Sequence, residues 1–462
     1  MPLTRRLHAE QIIRAQALMD NKRPRDAVPL IEEYLHTNPD SVHGWATLGT
    51  AALSLHDADL AERAFQEVLA RAPEHAGALN GMANVCARRW ELDAGEAYAR
   101  RALELYPDLP GAFASFGAHI VRDGRFEEAR ELYERALELE PGGYQIQQGL
   151  GLIYMQLGRY TEGYKLRARP VWENPSQKPG RRLPIQTRDL TGRRVLLKQD
   201  EGNGDCVATA RFIPMVKAMG GHVSMAARGP MRRLFQSIEA VDEVVEDTDA
   251  FETYDNMMTL ISLPGYFRAS PERLPPPIPM RAPAEARQRA RKIVAPYSEL
   301  FKVGFCWAGS HGFVMNYARS TTHHRFLDLA KLEGTTFFSL YKGELLQPYL
   351  DDPAARITVD ASSSDTDYAD AVGVMEEMDL IITTDTCVAH LAASLGKPTW
   401  ILVHKVPYFY FSSDFGDRTP WYPSARLFRQ TEHGNWDGVF ARVKAALAQE
   451  LAEWRSGARG AA

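Results

Sequence analysis

The sequence predicts an α-solenoid followed by two Rossmann-like lobes, which is an α plus α/β architecture. Three observations predict it: a 34-residue repeat in the first third of the chain, an alternation of short apolar runs with helical patterns after it, and a strand–helix–strand pattern at residues 379–403. The 462 residues allow roughly three domains of ordinary size.

Composition narrows the class of protein. With 45% hydrophobic and 24% charged residues the chain is globular, and a net charge of −5 gives no sign of a nucleic-acid partner. The cysteines (Cys86, Cys206, Cys306 and Cys387) lie far apart and match no metal-binding spacing, which predicts reduced thiols and a cytoplasmic location. The N-terminus lacks the apolar segment of a signal peptide, and no apolar window is long enough for a membrane span.

Residues 1–166 are predicted to form the repeat array. Prolines recur every 34 residues, which is the tetratricopeptide period, at Pro39, Pro73, Pro107 and Pro141. Small residues such as Gly49 and Gly117 alternate with large ones such as Phe65 and Tyr133, as expected where paired helices cross closely. Such arrays present a concave face that holds a peptide or protein, although a rigid spacer or a dimerisation arm would show the same pattern.

The remaining elements follow in order. Residues 167–190 are a proline-bearing linker, 191–280 the first lobe and 281–462 the second, with a proline-dense connection at 271–283. The short apolar runs predict strands at 194–199, 222–226, 241–246, 257–263, 302–307, 336–340, 356–359, 380–384, 399–403 and 425–428. The helical patterns predict helices from about 206 and at 284–295, 325–332, 367–377, 386–395 and 436–454.

The stretch 379–403 contains the strongest functional signal. A buried strand is followed by Asp385 and Thr386 where a helix should begin, and His390 lies on the same helix face as Thr386. A helix N-terminus at the carboxyl end of a parallel strand favours phosphate. The alternative is that the two polar residues only cap the helix and that His390 is structural.

A second candidate lies in the loop DEGNGD. Gly202 and Gly204 allow a backbone or ligand to approach closely, and Asp205 can project into the cleft. The loop lacks the third glycine of a dinucleotide fingerprint, and the chain has no P-loop. Helix capping is the alternative role for Asp205.

Both stretches resemble one family. DTCVAHLAASLGKPTW is similar to the D-T-x-x-x-H segment of heptosyltransferase-like glycosyltransferases, and EGNGDCVATARFIPMVKAMG is similar to their Gly-Asp loop and following helix. The resemblance implies the GT-B fold, with Asp205 as catalytic base. It also implies that Asp385, Thr386, Cys387 and His390 hold the diphosphate of a nucleotide-sugar donor.

Three further residues match motifs of that family. Arg319, in VGFCWAGSHGFVMNYARST, corresponds to a basic residue that contacts donor phosphate, Lys342 lies in a turn similar to Q-K-G-E, and Asp370 lies in DYADA, similar to D-F-A-D-T-A. A surface arginine, a surface lysine and a helix-capping acid are the respective alternatives. The chain departs from the family at 312–317, at the additional pair His323–His324, and at 404–411.

The resemblance extends over the repeats and both lobes, and it is to bacterial enzymes, including those that glycosylate flagellin. It implies an inverting transfer of a sugar to a Ser or Thr hydroxyl of a protein held by the repeats, with flagellin as the leading candidate. Helix and basic groups suffice for the leaving diphosphate, so no metal and no cofactor beyond the nucleotide sugar are expected, despite the triplets Asp247-Thr248-Asp249 and Asp365-Thr366-Asp367. An inactive repeat scaffold and a transferase acting on a saccharide or glycolipid remain alternatives.

Overall fold

The computed structural model describes residues 3–21, 23–167, 185, 187–246, 253–310, 313 and 315–457. Most of the predicted linker 167–190 and the triplet Asp247-Thr248-Asp249 therefore lie outside the described residues. The chain divides into two compact units, one ending at Leu157 and the other beginning at Gly158.

The first unit is an array of paired helices, and the predicted helical repeats are confirmed. The first helices of successive pairs start 34 residues apart at residues 42, 76, 110 and 144, and each repeat proline lies in the turn after a second helix. The helices are α1 (Leu3–Asp20), α2 (Pro24–Thr37), α3 (Val42–Ser54), α4 (Ala58–Arg71), α5 (Ala76–Arg88), α6 (Leu92–Leu105), α7 (Pro110–Ile120), α8 (Phe126–Leu139) and α9 (Tyr144–Gln156).

Glycines at the crossings explain why the helices approach so closely. A Cβ on Gly49 would lie 2.6 Å from the Phe65 ring, and one on Gly117 would lie 2.7 Å from the Tyr133 ring. Both aromatic side chains are buried. The alternation of small and large residues thus lets each ring pack directly against the neighbouring helix backbone.

The helix α10 (Tyr160–Arg167) continues the 34-residue register but belongs to the second unit. The sequence pattern includes this helix in the repeats, and its two tyrosine side chains are fully buried in the second unit. Trp421 Nε1 donates a hydrogen bond to Tyr160 Oη at 3.0 Å, and the Tyr164 ring packs edge-on against Phe409 at 6.3 Å between centroids. Aromatic burial therefore outweighs the repeat pattern at this helix.

The second unit contains two fully parallel sheets, which confirms the predicted parallel α/β content. A sheet with the order β3-β2-β1-β4 is followed in the chain by one with the order β10-β9-β8-β5-β6-β7. The strands are β1 (Arg194–Lys198), β2 (His222–Ala227), β3 (Glu243–Glu246), β4 (Asn256–Thr259), β5 (Phe301–Cys306), β6 (Thr335–Ser339), β7 (Val359–Asp360), β8 (Leu380–Thr384), β9 (Thr399–Val403) and β10 (Ala425–Arg429).

Helices connect these parallel strands. They are α11 (Asn203–Ala210), α12 (Ile213–Lys217), α13 (Arg232–Phe235), α14 (Leu263–Tyr266), α15 (Ala284–Val294), α16 (Asn316–Arg319), α17 (His323–Ala330), α18 (Leu346–Leu350), α19 (Tyr368–Glu377), α20 (Cys387–Ser394) and α21 (Asp437–Arg455). The single helix expected from about 206 is broken into α11 and α12, because Pro214 has no N–H to continue the helical hydrogen bonds. The strand expected at 257–263 ends at Thr259, where a 3-10 turn begins.

The strand orders fix where a ligand could bind. The chain leaves β1 in one direction through β2 and β3 and returns to the other side of β1 with β4. In the larger sheet it leaves β5 through β6 and β7 and returns on the other side with β8, β9 and β10. Ligands of such sheets bind beyond the carboxyl ends of the strands where the order reverses. Asp205 follows β1, and Asp385 follows β8.

Candidate active site

Asp205 lies in the first turn of α11, and a residue from the segment after β9 contacts its carboxylate. Tyr410 Oη donates a hydrogen bond to Asp205 Oδ1 at 2.9 Å. Burial raises the pKa of Asp205 to about 6, against the hydrogen bond from Tyr410 and the charge of Arg167, which both lower it. The N-cap residue Gly202 makes no side-chain cap, and Asp205 is the third residue of the helix.

Of the two predicted glycines, Gly204 lies where α11 comes close to α20. A Cβ on Gly204 would lie 2.8 Å from Cδ2 of the His390 ring, and one on Gly202 would lie 3.0 Å from Asp205 Oδ2. Only a residue without a side chain allows the backbone at 204 to contact His390 in this way. The loop after β1 and the helix after β8 are thereby brought together, as the strand orders suggested.

The segment from Asp385 to Cys387 joins β8 to α20. Thr386 is the N-cap residue but makes no side-chain cap; its hydroxyl lies 3.1 Å from the Thr383 hydroxyl instead. Burial raises the pKa of Asp385, with Arg319 opposing the shift, and burial raises that of the Cys387 thiol to about 12. Cys387 is therefore a neutral thiol, and the free backbone N–H groups of this turn remain available to an anion.

His390 is a neutral imidazole fixed by an aromatic neighbour. Burial lowers its pKa to about 3, assisted by the charges of Arg211 and Arg319, and its Nδ1 lies 2.8 Å from Tyr422 Oη. Either atom of this pair can donate, depending on the tautomer, and we assign Tyr422 as donor to Nδ1. The ring proton then resides on Nε2, on the side that approaches Gly204.

Arg319 lies near this cluster. Its positive charge acts on both Asp385 and His390. The guanidinium packs so closely on Gly309 that a Cβ there would lie 2.5 Å from an Nη atom, and it stacks 4.2 Å from the Phe313 ring centroid. The long loop after β5 thus delivers one cation to the edge of the sheet where α20 begins.

Lys342 and Asp370 are engaged in contacts that hold the protein together. Lys342 Nζ donates to backbone carbonyls of Ser362, Ser363 and Asp365. Asp370 accepts from Thr366 N–H at 2.8 Å and from Arg233 at 2.8 Å. Burial alone would raise the pKa of Asp370, yet these two bonds lower it. The structure therefore does not bring either residue into the Asp205–His390 cluster.

The two carboxylates of the Asp365-Thr366-Asp367 triplet are also engaged in structural contacts. Asp365 is paired with Arg289 at 2.8 Å, while Asp367 caps α19 through the Ala369 N–H and accepts from Arg233. Each carboxylate of this triplet already faces a guanidinium.

Sequence reasoning missed the residues that surround Asp205 from α10 and from the segment 408–411. Tyr410 packs edge-on against His390, and buried Arg167 lies 3.3 Å from Glu201 while its Nε has no hydrogen-bond partner. The buried Tyr408 hydroxyl interacts electrostatically with Arg167 and Asp205. The aromatic run PYFYF was visible in the sequence, but nothing local indicated that it would turn towards Asp205.

Two more buried polar atoms at this sheet edge have no hydrogen-bond partner. They are Thr384 Oγ1, at the end of β8, and His404 Nδ1, directly after β9. Burial lowers the pKa of His404 to about 3. Buried polar groups without a partner are rare in folded proteins, and their position after adjacent strands is consistent with a polar ligand at that edge.

Comparison with known proteins finds tetratricopeptide repeats in the N-terminal part of the chain. Residues 46–110 and 121–164 match the tetratricopeptide repeat family. Protein FlbA of Caulobacter vibrioides is 24% identical over 466 residues, a match that covers 94% of this chain and 71% of FlbA. The similarity to FlbA therefore includes the second unit as well as the repeats.

Other relatives match over shorter stretches. The human protein O-mannosyl-transferase TMTC3 is 24% identical over 178 residues, covering 35% of this chain and 20% of TMTC3. The CTR9 homolog of Arabidopsis thaliana is 30% identical over 113 residues, covering 24% of this chain and 10% of that protein. These two matches span only a small part of each relative.

Among solved structures, the chain is similar to a tetratricopeptide protein of Thermus thermophilus, TTC0263, with 19% identity and a TM-score of 0.33 over 34% of this chain and 87% of that one. It is also similar to PilW, described as a type IV pilus biogenesis factor, with 23% identity and a TM-score of 0.32 over 35% and 76%. Within the described part of the chain, no helix has the length and apolar character needed to cross a bilayer.

Proposed function

We propose that this chain is a glycosyltransferase of GT-B type, with lobes at residues 191–280 and 281–462, that transfers a sugar from a nucleotide-sugar donor to a hydroxyl of a protein held by the repeats. The observation that carries the proposal is the pairing of Asp205 with the N-terminal turn of α20 through the Gly204–His390 contact. A base and a phosphate-binding helix terminus at one place are what a transfer from a nucleotide requires.

Asp205 is suited to the role of base. A carboxylate with a pKa of about 6 is ionised at neutral pH and is a stronger base than an ordinary aspartate. It would take the proton of the acceptor hydroxyl while that oxygen forms a bond to the anomeric carbon. The bond from that carbon to the donor phosphate breaks in the same step, and the configuration is inverted.

The leaving nucleotide would depart towards α20. The backbone N–H groups at Thr386 and Cys387, the Nε2 proton of neutral His390 and the Arg319 guanidinium would all interact favourably with the negative charge that develops on phosphate. These groups stabilise charge without a metal ion. The unpartnered Thr384 and His404 atoms lie at the same sheet edge and would be satisfied by a donor.

The test is donor binding and turnover in three proteins: wild type, Asp205→Asn and His390→Ala. Wild type should show a rise in Tm with one class of nucleotide or nucleotide sugar. Asp205→Asn should keep that rise and lose about 10²–10⁴-fold in nucleotide release, as expected for loss of a general base. His390→Ala should bind about 10-fold or more weakly, since it removes a hydrogen bond to a charged group.

The exposed His43, in the repeat unit, supplies the matched control, and His43→Ala should behave as wild type. Absence of a Tm rise with every nucleotide sugar tried, together with absence of nucleotide release, would contradict the proposal and favour a scaffold without activity. Donor binding with no effect of the Asp205 substitution on turnover would remove Asp205 from the mechanism.

The acceptor is tested separately with a chain that starts at Gly158. This boundary keeps Tyr160 and Tyr164, which a boundary at residue 166 would remove from the second unit. The shortened chain should retain donor binding and lose transfer to a protein such as flagellin. Retained transfer to a protein would show that the repeats do not hold the acceptor, and transfer to a saccharide would favour the alternative acceptor class.

A further inference from the structure

Three side chains able to ligate metals converge away from Asp205 and α20. His323 Nε2 lies 2.9 Å and His324 Nε2 lies 3.1 Å from one oxygen, Oδ2 of Asp352. One ligand atom from each residue lies within 4.8 Å of the other two. The two histidines are the pair by which this chain departs from the family it resembles, and the proposed transferase mechanism does not use them.

Two of the three side chains are held in place by neighbours. Asp352 Oδ1 accepts a hydrogen bond from Ala354 N–H at 2.9 Å, which leaves Oδ2 directed at the histidines. The His323 ring is buried and packs edge-on against Trp307 and Tyr349, at 5.7 and 5.6 Å between centroids. Contacts of this kind orient a metal ligand before the ion arrives.

The third side chain has freedom to adjust. The His324 side chain is 65% exposed and stacks on His323 at 4.2 Å between centroids. Ligand atoms of a tetrahedral ion at about 2.0–2.1 Å lie roughly 3.3 Å apart, so the two Nε2–Oδ2 distances of 2.9 and 3.1 Å must lengthen slightly. The exposed ring of His324 can supply that movement without disturbing the core.

The three side chains offer ligand atoms that suit a transition-metal ion. His323 and His324 are the first two residues of α17, and with the ring protons on Nδ1 both rings would present Nε2 beside one carboxylate oxygen of Asp352. Two imidazole nitrogens and one carboxylate oxygen are a common set of ligands for Zn²⁺.

We propose that His323, His324 and Asp352 form a binding site for a divalent transition-metal ion of the Zn²⁺ class. Three protein ligands leave a fourth position open to water or to another ligand. Mg²⁺ and Ca²⁺ are disfavoured because they prefer oxygen ligands alone. Binding of the ion requires no nucleotide-sugar donor.

The ion would join the start of α17 to the turn that follows Asp352. The segment before α17 carries Arg319, and it is already attached to the end of β5 by the hydrogen bond from Thr321 N–H to Trp307 O at 2.9 Å. A metal at His323 would therefore brace the loop that positions Arg319. Bound metal should raise stability by mass action.

The experiment measures Zn²⁺ binding to untagged, chelator-treated full-length protein by competition with a chromogenic chelator and by thermal unfolding. Wild type should bind one Zn²⁺ per chain with a rise in Tm, and Mg²⁺ should produce neither effect. His324→Ala should weaken Zn²⁺ binding at least about 10-fold, because even the loss of an outer partner of a metal site costs that much. His43→Ala, which removes an exposed histidine elsewhere, should bind as wild type does.

Because His324 is exposed, its alanine variant should have the wild-type Tm without metal; Asp352→Asn provides a second variant that keeps the side-chain shape. Co²⁺ gives an independent readout, since coordination by imidazole changes its visible absorption. Equal Zn²⁺ affinity in wild type, His324→Ala and Asp352→Asn would overturn the proposal, as would the absence of Zn²⁺ binding to wild type.

Discussion

Tyr410 Oη donates a hydrogen bond to Asp205 Oδ1 at 2.9 Å, across 205 positions of sequence. The hydroxyl stabilises the ionised carboxylate and so opposes the burial that raises the pKa of Asp205 to about 6. Removing the hydroxyl leaves burial unopposed by this bond. The pairing therefore limits how far burial raises the pKa of the carboxylate.

The first prediction concerns this pair. Tyr410→Phe should raise the pKa of Asp205 further, because a bond to its charged form is lost. The acidic limb of the pH profile of kcat/KM should move upward by roughly one pH unit, about 1.4 kcal/mol of interaction. Tyr297→Phe, which alters a tyrosine packed on Phe338, should leave the profile unchanged. If the acidic limb of Tyr410→Phe does not shift, that limb does not report the ionisation of Asp205.

The second prediction is a gain in stability from Asp205→Asn. The folded-state pKa of about 6 exceeds the unfolded value of about 3.9, so the folded protein binds more protons between these values and loses stability as pH rises through them. The neutral amide avoids that loss. At pH 7.5 the variant should be more stable by about 1–3 kcal/mol, and at pH 4 the difference should vanish.

Urea unfolding at the two pH values measures the difference between wild type and Asp205→Asn. Asp108→Asn, at an exposed turn of the repeats, is the control and should show no gain. A variant that is less stable than wild type at pH 7.5 would mean that the carboxylate is well solvated in the folded state.

The third prediction concerns Gly204. Its alanine substitution places a methyl group 2.8 Å from the His390 ring, which is buried and fixed by Tyr422. Gly204→Ala should cost about 1–3 kcal/mol and weaken donor binding, since His390 must move. Gly142→Ala, at a turn where a Cβ meets nothing within 4 Å, should be neutral. Thermal unfolding with and without donor checks both effects; wild-type behaviour of Gly204→Ala would show that the contact is loose.

The fourth prediction concerns Arg233. It donates to Asp367 at 2.6 and 2.7 Å and to Asp370 at 2.8 Å, and both carboxylates are largely buried. Arg233→Met leaves them without their cation and should cost about 1–3 kcal/mol, allowing for the partial exposure of the arginine. The adjacent Arg232→Met removes an exposed pair with Glu246 and a 3.4 Å hydrogen bond to the Val244 carbonyl, and should cost less than about 0.5–1 kcal/mol.

This cost should depend on pH. The folded pKa of Asp370 lies below its unfolded value of about 3.9, so its pairing stabilises the protein above that value and the contribution is lost as pH falls through the folded pKa. The difference between wild type and Arg233→Met in urea unfolding should therefore narrow below pH 4. A constant difference down to pH 3 would assign the effect to packing of the arginine stem instead.

Much of the fold could be predicted because its signals are local. The 34-residue spacing of prolines, the apolar runs of β8 and β9, and the glycines at helix crossings each act over a few residues. The errors are local as well: Pro214 splits a helix that periodicity alone would continue, and the turn after Thr259 replaces the end of a predicted strand. At both places the hydrogen bonding of the backbone, rather than the helix or strand propensity of the side chains, decides where the element ends.

The candidate site was only partly predictable. Asp205, Thr386 and His390 follow strands at recognisable positions, whereas Tyr410 and Arg167 reach the cluster through tertiary packing that leaves no mark in their own neighbourhood. Lys342 is the opposite case: its turn is recognisable in the sequence, but its ammonium group donates to three backbone carbonyls and lies outside the cluster. The roles of all these residues stay predictions until donor binding is measured.

The helix α10 has a consequence for recombination. Its start at residue 160 keeps the 34-residue interval, yet the helix belongs to the second unit, where its tyrosines are buried. A chimera joined at the end of a whole repeat would replace α10, and with it the buried side chains of Tyr160 and Tyr164, by those of another protein. Repeats should instead be exchanged at a junction between Leu157 and Tyr160. The helix α10 then stays with the second unit, although its sequence continues the repeat pattern.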